Sequence, residues 1–180
     1  EESECRKHMP DTDEIYLSHA LRSLGEAVGG NDQDSDCKVW SLDKDQVAKA
    51  TAHILFQNRK SSMNIWPIDD FLLEWSSRIP DSTAFDGGLV VAAAPDKGLL
   101  AGIAVQVGSG YRYAPATQLN LLPKAEERFK NMAAFKQKYT QEEIAPYCAG
   151  LFGSAGQPRS VPELLLKHSK FLDNMYILKT

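Results

Sequence analysis

Thr140-Gln141-Glu142-Glu143-Ile144-Ala145-Pro146-Tyr147 and Ser160-Val161-Pro162-Glu163-Leu164-Leu165 each begin with Ser/Thr-x-x-Glu. In such a box the hydroxyl accepts from the backbone N–H three residues on, and the Glu side chain reaches back to the cap's own N–H. Both therefore mark helix starts. Apolar residues recur at helical spacing behind them: Ile144, Tyr147, Cys148 and Leu151, then Leu164, Leu165, His168 and Leu172. The β-prone run Met175-Tyr176-Ile177-Leu178 follows. Helix, loop, helix, strand is the order of a winged helix, a helix-turn-helix variant whose second helix can enter a DNA groove.

Upstream, the signals have a similar sequence. Residues 1–12 are polar and read as a flexible N-terminus. Ile15, Ala20, Leu21 and Leu24 suit a short helix from Glu14 to Glu26, and Gly29 to Asp36 reads as a solvated loop. Its alternating carboxylates lack the glycine and terminal glutamate of a calcium loop. Lys38 to Leu42 alternates as a strand, and Asp43 caps a helix from Lys44 to Asn58. Trp66-Pro67 is expected to start a further helix that Pro80 stops. Leu89 to Ala92 and Leu99 to Val107 then form a hairpin around Pro95-Asp96-Lys97-Gly98. These signals predict an α+β, mainly helical chain of tandem winged-helix domains. The first covers 13–107, a linker covers 108–120, and the second covers 121–180.

Charge is uneven along the chain. The net charge is −4, yet residues 1–120 hold 11 Lys/Arg against 18 Asp/Glu, while residues 121–180 hold 9 against 6. Phosphate neutralisation supplies most nonspecific DNA affinity, so nucleic-acid contact is expected only in the C-terminal third. No apolar run approaches the length of a membrane helix, so no membrane partner is expected. Three cysteines without CxxC spacing read as reduced thiols of an intracellular protein.

Several stretches resemble the sister chromatid cohesion Dcc subunit of the alternative, cohesion-type replication factor C clamp loader, in its C-terminal part. They are Trp40-Ser-Leu-Asp43, Gln46 to Ala50, Leu55-Phe-Gln-Asn58, Phe71 with Glu74-Trp75, Ile79-Pro80 and Glu127-Arg128-Phe129. The most specific are Tyr139 to Tyr147, and Leu164-Leu165 with Lys167-His168-Ser169. The resemblance implies winged helices that bind single- and double-stranded DNA without sequence specificity and help recruit the loader to chromatin in the nucleus. It implies other loader subunits and DNA polymerase epsilon as partners, and ATP hydrolysis performed elsewhere in the assembly.

The candidate DNA contacts are Arg159, Ser160, Lys167, Lys170 and Lys179. Lys167 and Lys170 stand three apart on a helix, away from the Leu164, Leu165, His168 stripe, with Arg159 before it and Lys179 beyond the strand. Ser160 and the free N–H groups of the first turn can accept a phosphate. Lys124, Lys130, Lys136 and Lys138 either extend this surface or pair with neighbouring glutamates, and Arg128 reads as structural. Tyr111 and Tyr113, in the linker, read first as packing or interface residues, and second as rings that stack on a base or a partner side chain. No cofactor is implied. His8, His19, His53 and His168 form no metal spacing, and neither a nucleophile elbow nor a phosphate loop is present. The alternative to DNA binding is a scaffold that contacts only protein.

Overall fold

The computed structural model describes residues 14–28, 39–59, 65–79, 96–152 and 160–179. The expected N-terminal tail, the loop at 29–36, the β-run at 89–92, Pro80 and Arg159 lie outside the described residues. Two compact units emerge, 1–51 and 52–180. In the first, α1 (Glu14–Leu24) runs into β1 (Gly25–Val28), which pairs antiparallel with β2 (Val39–Leu42). Leu17, Trp40 and Ala48 are buried there. Asp43 caps α2 (Lys44–Asn58) as its position predicts: its carboxylate accepts from the Asp45 N–H at 2.8 Å. The division between units falls within this helix.

The second unit holds two three-stranded antiparallel sheets. One comprises β3 (Trp66–Pro67), β4 (Ala104–Val107) and β5 (Gly110–Tyr113), in the order β3-β5-β4. Between β3 and β4 come α3 (Ile68–Arg78) and a 3-10 turn, Lys97–Leu100. Trp66-Pro67 is thus an edge strand instead of a first helical turn. An edge tolerates Pro67, which has no N–H to donate. Phe71 is wholly buried and lies centroid to centroid 4.8 Å from Phe56, 5.2 Å from Trp66, 5.4 Å from Trp75 and 5.4 Å from Tyr111.

Two expectations fail in this region. The strand expected from Leu99 to Val107 is shorter: Asp96 accepts from the Gly98 N–H at 2.8 Å, Lys97–Leu100 is a 3-10 turn, and the strand is confined to Ala104–Val107. The hairpin turn is Gly108-Ser109, where Gly108 has φ +58° and Val107 pairs with Gly110. Nor are residues 108–120 a linker, because they contain β5 and the short helix α4 (Ala116–Leu119). At Gly110 a Cβ would overlap Ile65 Cγ2 and the Trp66 carbonyl. Its glycine permits close strand approach. Tyr111 is buried in β5 and closed to a base, while partly buried Tyr113 packs one face on Phe56 with centroids 5.4 Å apart.

The second sheet has the order β6-β8-β7, from β6 (Lys138–Tyr139), β7 (Ser169–Leu172) and β8 (Met175–Leu178). α5 (Ala125–Phe135) precedes it; α6 (Gln141–Ile144), with its 3-10 extension Ala145–Cys148, and α7 (Val161–His168) lie between β6 and β7. The Thr140 box is complete: Thr140 Oγ1 accepts from Glu143 N at 3.2 Å, and Thr140 N donates to Glu143 Oε2 at 2.9 Å. Ile144, Tyr147, Cys148 and Leu151 are buried as their spacing predicts. The second stripe is shorter than expected, because α7 ends at His168 and Leu172 lies exposed in β7. Asp173 and Asn174, at φ +50° and +60°, form the tight turn that folds β7 onto β8.

These two sheets share one core. Val105, Ala114 and Ala116 cluster with Phe129, Met132, Tyr139, Tyr147, Leu164, Leu165 and Leu178. Tyr147 donates its buried hydroxyl to the Ala114 carbonyl at 2.8 Å, and the Arg112 guanidinium sits 4.8 Å from the Phe135 ring centroid. Tyr147→Phe leaves that carbonyl unpaired, so it should cost about 1–2 kcal/mol. A urea titration would register this as a lower midpoint with an unchanged slope; an unchanged midpoint would show the bond to be dispensable.

Candidate nucleic-acid interface

α5, α7 and the end of β8 meet around an open cleft of about 260 Å³, lined by Glu126, Phe129, Lys130, Lys167, His168 and Lys179. Helical spacing on α5 sends Glu126, Phe129 and Lys130 to one side. Phe129 is buried beneath it, and its ring centroid is 5.4 Å from that of His168. Lys179 is fastened to the end of α7: its N–H donates to the His168 carbonyl at 3.1 Å, and its Nζ to the Lys167 carbonyl at 3.3 Å. Lys167 and Lys179 therefore converge, although twelve residues separate them.

Lys170 does not join them through helical spacing, since it lies in β7 beyond the helix end. It stands opposite Ile177 of β8, and Lys138 of β6 stands opposite Ile177 from the other side. Directly opposed residues share a sheet face, so Lys138 and Lys170 flank Ile177 on the face away from buried Tyr139 and Tyr176. Ser160 caps α7, accepting from Glu163 N at 3.4 Å. The candidate cations thus fall into two groups, one in the cleft and one on the outer sheet.

Three further cations of this region, among the described residues, are engaged. Lys124 pairs with Glu127 at 3.6 Å, and Lys136 with Glu143 at 2.6 Å. Arg128 is only 2% exposed. It donates to the Leu122, Tyr147, Ala149 and Asn120 carbonyls and to Asn120 Oδ1, at 2.5 to 3.1 Å. It fastens the 120–122 loop to the end of the 3-10 turn after α6 and is structural, as its neighbourhood suggested. The adjacent Cys148 thiol is pushed up to about 11 by burial, against the pull of Arg128, and stays protonated at neutral pH. Lys130 extends the basic surface, one of its two expected roles, whereas Glu126 and His168 were not expected at the cleft. The i, i+4 spacing of Glu126 and Lys130 around Phe129 was the available signal.

Burial holds the His168 imidazole below its usual range; Lys179 and Lys167 push the same way, and Glu126 opposes them. Among the described residues, no group of three or more His, Cys, Asp or Glu could hold a metal ion. No described helix is long and apolar enough to cross a membrane.

Residues 1–148 match the family described as sister chromatid cohesion protein Dcc1. The chain belongs to that family. It is 26% identical over 157 residues to sister chromatid cohesion protein DCC1 of Homo sapiens, covering 87% of this chain and 35% of that protein. Against the Mus musculus and Xenopus laevis proteins of the same name, identity is 25% and 27% over 158 residues, with the same coverage. The chain spans about a third of the length of these relatives. The family match ends at Cys148, so it includes Glu126, Phe129 and Lys130 but stops before α7, β7 and β8.

Proposed function

We propose that this chain is a non-catalytic, DNA-facing arm of an alternative replication factor C clamp loader, acting in the nucleus in sister chromatid cohesion and DNA replication. On this reading it comprises two tandem winged helices, one ending at β5 and one formed by residues 121–180. It binds single- and double-stranded DNA without sequence specificity and helps bring the loader to chromatin. Other loader subunits and DNA polymerase epsilon are its protein partners. The observation that carries the proposal is the convergence of Lys130, Lys167 and Lys179 at one cleft beside α7. The repeated strand order, β3-β5-β4 and β6-β8-β7, supports the tandem assignment.

Nonspecific binding follows from the residues available. The exposed side chains of α7 are Glu163, Leu166 and Lys167, with no Asn, Gln or Arg to read a base edge. A purely protein-binding scaffold is the second reading, favoured by exposed Leu166, Phe171 and Leu172 on α7 and β7. Fluorescence anisotropy of the chain with a labelled duplex and a labelled single strand separates the two. Under the DNA reading, Lys167→Glu with Lys179→Glu should weaken both complexes at least about tenfold at low salt. Oligonucleotide affinity indifferent to both changes would favour the scaffold.

A further inference from the structure

We propose that the cleft between α5 and α7 seats one phosphate group of a nucleic-acid backbone, held by Lys130, Lys167, His168 and Lys179, with Glu126 as a built-in opposing charge. This rests on the DNA-binding reading and deepens it, because it assigns roles to three residues outside the expected contact set. Lys130 comes from α5, Lys167 and His168 from the last turn of α7, and Lys179 from beyond β8. Lys124 and Lys136 are tied up in ion pairs, whereas Lys130 and Lys167 make none among the described residues. The buried Phe129 ring lies beside His168 with its plane tilted 53° and covers one side of the imidazole.

Glu126 makes the site selective about conditions. Its carboxylate shares the cleft with the three lysines, so an entering phosphate meets attraction from three sides and repulsion from one. His168 has charged neighbours on every element around it: Glu126 and Lys130 on α5, Lys167 on its own helix and Lys179 after β8. Burial and the two nearest lysines favour the neutral ring in the free chain. A phosphate beside it favours the charged form. By linkage, affinity then rises as pH falls and His168 takes up a proton on binding.

The test uses the whole chain and a short labelled DNA duplex, with affinity measured between pH 7.5 and pH 5.5. Glu126→Gln should tighten binding about fivefold at neutral pH and low salt. The unmodified chain should bind about fivefold tighter at the acid end, and His168→Gln should abolish that rise. An NMR titration of the His168 ring should show its pKa increase when duplex is added. Binding with a fixed His168 pKa and no response to Glu126→Gln would overturn the phosphate seat and leave the DNA-binding reading intact. Absence of duplex binding at low salt would overturn both.

Discussion

Arg128→Ala should destabilise the chain by about 3–5 kcal/mol, the largest loss expected from any single polar substitution here. The guanidinium is 2% exposed and serves four backbone carbonyls and the Asn120 side chain. Removing it strands those acceptors in a dry interior and leaves a cavity between the 120–122 loop and the segment after Cys148. Lysine cannot rescue the site fully, because a single ammonium cannot reproduce a planar fork aimed at several acceptors. Arg128→Lys should therefore remain about 2 kcal/mol short of the original stability. Urea titrations of both variants provide the check, and midpoints near the original for either would show that the guanidinium network is not structural.

Phe71→Ala should cost a similar amount, about 3–5 kcal/mol, through a different mechanism. Phe71 is fully buried and has four aromatic neighbours within 5.4 Å, centroid to centroid. Truncation opens a cavity that these stiff rings cannot collapse to fill. Phe71→Leu retains most of the apolar volume and should lose roughly half as much. Near-ultraviolet circular dichroism would record a weakened aromatic signal for alanine, and a full signal with an unchanged melting point would contradict the packing described.

Local chemistry made the helix starts legible. Asp43 and Thr140 cap the helices their positions predict, and the stripe from Ile144 to Leu151 is buried throughout. Short strands were harder to recognise. β3 is two residues long and ends at Pro67, which also caps the expected helix, so the helix start was legible and the strand before it was not. Gly108 and Gly110 suggested a linker because a sequence does not distinguish a hinge from a turn or a close approach. β7 was absorbed into the preceding helix, although Asp173-Asn174 is a recognisable tight-turn signal. That error placed Lys170 on the same helical face as Lys167. The cleft itself depends on residues from α5, α7 and the chain beyond β8, a convergence that spacing along one element cannot express.

The slope of DNA affinity against salt tests the central claim most directly. If Lys130, Lys167 and Lys179 together seat one backbone phosphate, this cleft should contribute about −1 to the slope of log affinity for duplex against log salt. Replacing the three lysines by alanine together should make that slope shallower by about 1, and each single replacement by part of that. A slope near zero, or a steep slope that none of the three substitutions alters, would contradict a DNA-facing role for this cleft.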